Sequence, residues 1–195
     1  RRQVLIHGRQ AGEWAGGQFG QVGHVAERSA GQPGEFGLIQ RHRVERIGWV
    51  RDHLQEFGRA AEPFRYYNFV AWHVYADRQR AMREARMWLG YRGLFRRWVL
   101  NTFMTDAEYD VIESHKAEIY GMVPRKAWSV PGVPDALLDS CVSNLTLAGT
   151  PADIPRFVEH LRKMRDAGCT DIVLELHAEP AEGIRLIGEQ VIPVL

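Results

Sequence analysis

Two short stretches hold the residues most able to do chemistry. In DAGCTDIVLELHAEP (166–180) an apolar run, Ile172-Val173-Leu174, is interrupted by Glu175, resumes at Leu176 and ends on His177. Side chains alternate along a strand, so Glu175 and His177 face one way and Leu174 and Leu176 the other. In YYNFVAWHVYA (66–76) the same alternation puts His73 and Tyr75 together near the end of an aromatic, β-branched run. An acid, two imidazoles and a phenol at the ends of neighbouring strands can line a cofactor or substrate pocket. Plainer readings stand beside this one: Glu175 as the partner of an arginine, His177 as a helix cap, His73 as a packing residue. Arg125 and Lys126 sit in a stretch broken by Pro124, Pro131 and Pro134. They could meet an anionic cofactor tail or a substrate phosphate, or be solvated loop charges.

Other chemistries lack their residues. The eight histidines are scattered, with no H-E-x-x-H and no paired C-x-x-C, which argues against a metal site. GGQFGQVG (16–23) is out of register for a dinucleotide-binding turn, and no G-x-S-x-G elbow occurs. Twenty-five basic against twenty-four acidic residues give a net charge of +1, no field for nucleic acid or anionic lipid. No stretch approaches the roughly 18–20 apolar residues that span a bilayer. Two cysteines, Cys141 and Cys169, make no disulfide framework and suit a reducing cytosol, so a cytoplasmic location is expected.

The elements that would position these residues are readable after residue 43. Ile47, Val50, Leu54 and Phe57 recur at helical spacing, and Gly58 should end that helix. After the strand at 66–76, Asp77 is a cap for a long helix with Ala81, Ala85, Trp88, Phe95 and Val99 along one face. Thr105-Asp106-Ala107-Glu108 is a capping box that opens a helix to about Tyr120, and the prolines then predict an irregular crossing to Gly149. Thr150, Pro151 and Asp153 start a helix whose stripe is Ile154, Phe157, Val158, Leu161 and Met164, and Gly168 stops it in the left-handed conformation. The strand at 171–176 follows, then a helix from Pro180 expected to bury Ile184, Ile187 and Val191. Residues 1–43 differ: nine of the nineteen glycines and six glutamines lie before residue 41, and only QVLIH (3–7) reads as a strand. A poorly structured segment 1–43 and an α/β domain 44–195 are the expected organisation.

Taken together, VAWHVYADRQRAMREARMWLGY (70–91), LAGTPADIPRFVEHLRKMRDAGCTDIVLEL (147–176) and AEGIRLIGEQVIPVL (181–195) resemble the C-terminal portion of the luciferase-like monooxygenase superfamily. The likeness covers about residues 45–195 and is cumulative rather than carried by one motif. It implies the C-terminal part of a TIM (β/α)8 barrel, incomplete, with a helical insertion between its last two strands. It also implies FMN or a 5-deazaflavin coenzyme and a small-molecule substrate. In such a barrel the site lies at the C-terminal ends of the strands, where Glu175, His177, His73 and Tyr75 would stand. Val4–Gly8 with Gly12 echoes a strand and phosphate-holding turn. The cofactor cradle comes largely from the first half of the barrel, so this polypeptide alone is expected to bind neither ring tightly. The strand at 171–176 is expected to keep an unpaired edge, which would drive self-association or recruit a complementing chain. A non-catalytic α/β remnant acting through association is the alternative.

Overall fold

The computed structural model describes the backbone of residues 4–8, 37–92 and 95–195, and side chains from residue 46 onward except 92–94. The elements are β1 (Val4–Gly8), α1 (Gly37–Glu56), β2 (Tyr67–Val74), α2 (Arg78–Trp88), α3 (Arg97–Leu100), α4 (Asp106–Ser114), α5 (Lys116–Tyr120), α6 (Met122–Arg125), α7 (Asp135–Leu145), β3 (Thr146–Gly149), α8 (Ile154–Asp166), β4 (Asp171–Leu176) and α9 (Pro180–Leu186). The fold is mixed α/β. Its strands form one sheet in the order β1-β4-β2-β3, every pair parallel.

One face of the sheet is an apolar layer. Val70, Trp72 and Val74 of β2, Leu147 of β3 and Ile172, Leu174 and Leu176 of β4 pack against the expected stripe of α8. Leu186, Ile187 and Val191, in and after α9, complete this cluster. The opposite face is built on smaller residues. Ala148 of β3 joins Ala85 of α2 and Leu138, Cys141 and Val142 of α7 in a second cluster that extends through α3–α6. Parallel crossovers are right-handed, so connections running in opposite directions along a sheet lie on opposite faces. The β2-to-β3 connection moves outward over one face, and β3-to-β4 returns past β2 over the other. Helices therefore cover both faces.

Several local expectations hold for their stated reasons. Asp77 Oδ1 accepts the Gln79 amide at 2.8 Å, and Thr105 with Glu108 forms a reciprocal capping box. The Thr150 amide donates to Asp153 Oδ2 at 2.8 Å. Gly168 adopts φ +100, with its amide on the Arg165 carbonyl and the Cys169 amide on the Met164 carbonyl, the paired bonds of a left-handed helix stop. Gly58, at φ +69, ends α1 with the same pair of bonds.

Others are corrected. The helix after Asp77 is not one long rod: it ends at Trp88, Phe95 reaches the second cluster from beyond a break, and Val99 is buried in the separate helix α3. The chain continues as a 3-10 helix over Leu89–Arg92, where Gly90 lets α5 approach, because a Cβ there would stand 2.7 Å from the Ile119 carbonyl oxygen and 2.8 Å from Tyr120 Cα. The expected irregular crossing contains a full helix, α7, which starts after Pro134 and buries Leu137, Leu138, Cys141 and Val142. It then feeds β3, a strand the proline pattern concealed. Ile184 is exposed; Gly183 takes the inward position, because a Cβ there would meet Leu176 Cδ2 at 2.5 Å. The helix that buries Ile47 begins at Gly37, inside the segment expected to be unstructured. Lastly, β4 has no free edge: it pairs with β2 on one side and β1 on the other.

Candidate functional site

β2 and β4 are adjacent, yet their chains leave on opposite faces: β2 runs into α2 over one, β4 into α9 over the other. Such a divergence opens a crevice at the carboxyl ends of the two strands, the usual ligand position in open α/β sheets. The residues there come from His73-Val74-Tyr75-Ala76-Asp77 and Leu176-His177-Ala178-Glu179.

The two imidazoles meet. His73 is fully buried, and its ring stacks on His177 with centroids 4.8 Å apart and planes within 4°. Trp88 stacks on the other side of His177 at 4.1 Å and 24°. The three rings form a column that runs from beneath α2 into the crevice, with Tyr91 edge-on to Trp88 at 5.2 Å. Glu175 is buried at 3% exposure. Its Cα lies level with Ala71 of β2 and His7 of β1. Ala71 is buried beside it.

Tyr75 extends the site along the same face. Its hydroxyl donates to Glu84 Oε2 at 3.0 Å, and the Arg80 guanidinium lies 4.9 Å from its ring centroid. Burial first, and then the Glu84 carboxylate, push the Tyr75 phenol far above its ordinary pKa, so it remains a proton donor at neutral pH. Arg80 also bonds Glu84 Oε1 at 3.3 Å and pairs with Glu179, which ties α2 to the turn after β4. Glu179 holds a left-handed backbone, φ 50 and ψ 51. Non-glycine residues in that region are uncommon and concentrate where a turn must aim its neighbours.

A second tie stands at the opposite end of the strands. The Arg65 guanidinium forms a two-point contact with the Asp171 carboxylate, Nε to Oδ2 at 2.9 Å and Nη2 to Oδ1. That contact and the Thr170 hydroxyl hold the Asp171 carboxyl below its usual range. This pair ties the chain entering β2 to the start of β4, at the foot of the ladder that levels the two strands.

The candidates thus divide. His73, Tyr75, Glu175 and His177 converge at the carboxyl ends of β2 and β4. His177 does not cap α9, whose flanking residue is Glu179. Gly8 ends β1 level with Leu176, at the same end of the sheet, while Gly12 lies outside the described residues. Arg125 is elsewhere, bonding the Glu118 carbonyl to close α5. Lys126 lines a separate groove with Arg80 and Glu84. Sequence reasoning placed Trp88 in the core and passed over Arg80, Glu84 and Glu179. The spacing of Arg80 and Glu84 at i and i+4 was a legible sign, whereas Glu179 needed the turn geometry.

Among the described residues no group of three or more His, Cys, Asp or Glu is placed to hold a metal ion, and no helix is long and apolar enough to cross a membrane. No protein-family model matches the chain, and no curated protein matches it.

Proposed function

We propose that the chain acts within a luciferase-like oxidoreductase dependent on FMN or a 5-deazaflavin coenzyme, its ring lying against the crevice at the carboxyl ends of β2 and β4. The observation that carries this reading is the column His73–His177–Trp88 at the point where the two strands diverge. When bound, the coenzyme would supply hydride transfer or oxygen activation, and the protein orientation and exclusion of water. Spacings of 4.8 and 4.1 Å leave no slot for another ring inside the column. The residues therefore fit a flat coenzyme as one wall, formed by the outer edge of His177 and Trp88, and not as a complete cradle. Tyr75, its hydroxyl donated to Glu84, would hold α2 in place beside that wall.

A barrel portion is supported by the neighbours β2, β4 and β1, which stand as the last two strands and the first of a closed barrel would. It is opposed by β3 beyond β2 and by helices on both faces, the layering of an open, doubly wound sheet. The buried thiols Cys141 and Cys169 suit the proposed cytoplasmic setting.

Titration with FMN and with the deazaflavin coenzyme, followed by ring fluorescence, tests the function. Saturable binding weaker than about 10 µM is expected, further weakened by His177→Ala. Absence of saturable binding to either coenzyme rejects the proposal. The association reading keeps one independent support: Phe57 is 71% and Tyr67 70% exposed. Light scattering across micromolar concentrations checks it, and a monomer throughout removes it.

A further inference from the structure

The outer side of α2 bears a second feature, which shares Arg80 and Glu84 with the crevice but turns Arg83 and Met87 another way. Arg80, Arg83, Glu84 and Met87 recur at helical spacing and face Val123, Lys126 and Trp128 across an open groove of about 450 Å3. That volume suits a small ligand rather than a peptide or a helix. The floor is apolar, supplied by Met87, Val123 and the indole of Trp128, and cations outnumber acids on its rim by three to one.

The acid is already satisfied. Glu84 accepts from the Tyr75 hydroxyl at 3.0 Å and from Arg80 Nε at 3.3 Å, while Arg80 divides its charge between Glu84 and Glu179. Arg83 and Lys126 are in a different condition. Among the described residues neither meets a carboxylate. The Arg83 guanidinium lies 5.2 Å from the centroid of the Trp128 ring, which is 45% exposed. Lys126 stands in the left-handed conformation, φ 51 and ψ 37, at the end of α6, a position where glycine is the unstrained choice. A guanidinium over an aromatic ring on one bank and an ammonium on the other present two positive heads above an apolar floor.

We infer that this groove binds a small organic anion with a flat apolar body, of which an aromatic carboxylate is the simplest member. The carboxylate would lie between Arg83 and Lys126, where each guanidinium or ammonium N–H can donate to it. The apolar body would rest on Trp128 and Met87, stacking on the indole and touching the thioether. The site is separate from the histidine column and does not depend on the coenzyme reading.

The probe is 2-naphthoate, with neutral 2-naphthalenemethanol and cationic 2-naphthylmethylamine as its counterparts. The readout is the Trp128 indole N–H resonance, assigned by its loss in Trp128→Phe. Saturable binding of naphthoate that moves this resonance is expected. Arg83→Gln and Lys126→Gln, both surface changes, should each weaken it about three- to fivefold, and the alcohol and amine should bind more weakly still. The inference is overturned by absence of saturation, by equal binding of the three probes, or by shifts at other indoles that leave Trp128 still. A concentration-dependent dimer that Trp128→Phe dissolves would overturn it too, because a second copy would then fill the groove.

Discussion

The two faces of the sheet are built on opposite principles. On the face under α8 and α9, β2 offers Val70, Trp72 and Val74, and β4 offers Ile172, Leu174 and Leu176, all buried and all apolar. On the face under α2 the same strands offer Ala71 and His73, then Asp171, Val173 and Glu175, five buried residues, three of them polar or ionisable. Strand geometry allows this with one residue of offset, so stability and chemistry are carried by alternate positions of the same segments. The apolar face can be read as a ledger of buried area. The polar face cannot, because each group there must find a partner or lose stability.

Deleting side-chain volume from the apolar face should do the most damage. Leu174→Ala removes a fully buried side chain at the centre of the α8 contact and is expected to cost about 2–5 kcal/mol, read from denaturant midpoints. A cost below about 1 kcal/mol would mean that α8 does not seat on β4 as described. Next comes the turn that delivers β4 to both faces. Gly168→Val forces a β-branched residue to φ +100 and places its Cβ 3.2 Å from Ile47 Cδ1. A loss of about 1–3 kcal/mol is expected, visible as a lower Tm.

The polar face should respond less, and with a pH signature. The Asp171 carboxyl titrates lower in the folded protein than in the unfolded chain because of Arg65. Its contribution is therefore present above the unfolded value near pH 4 and disappears as pH falls through the folded one. Arg65 is more than half exposed, so solvent screens the pair and the contribution is small. Asp171→Asn should lower stability slightly at pH 7 and flatten the acid limb of the stability curve below pH 4. Equal slopes in the two proteins would detach Asp171 from Arg65. The smallest change is expected from His177→Ala, less than about 1 kcal/mol, since the ring is half-buried and lies outside both apolar clusters. A large drop in Tm would make His177 a structural residue and remove it from the site.

This contrast also explains what was legible in the sequence. The apolar face announced itself: alternation in 70–74 and 172–176 and the stripe of α8 are strong periodic signals, and Gly168 and Asp77 act through local chemistry. Glu175 and His177 were readable because they interrupt that pattern. Trp88 was not, because an aromatic at the end of an amphipathic helix has the same signature whether it fills a core or stacks on a histidine. Pro134 hides α7, because a third proline in a short stretch signals a break although a proline just ahead of a helix is compatible with one. β3 was hidden by its brevity: Thr146-Leu147-Ala148-Gly149 is too short for a period to emerge. Strand order lay beyond local reading altogether. Nothing in residues 146–176 announces that β2 will stand between β3 and β4, since that order follows from which crossover covers which face.

That order has a consequence in time. β2 is made early, but the partners of its two edges lie far downstream; Tyr66 and Thr170, which bond at the start of the β2–β4 pair, are 104 positions apart. At a synthesis rate of about 5–20 residues per second, β2 waits on the order of 5–20 s after leaving the ribosome before β4 exists. Val70, Trp72 and Val74 have no sheet neighbour until β3 is made, and the side of β2 that meets β4 stays open for the rest of that interval. The central strand of the finished molecule is thus the nascent chain's most vulnerable segment, one that needs shelter until its last neighbour is translated.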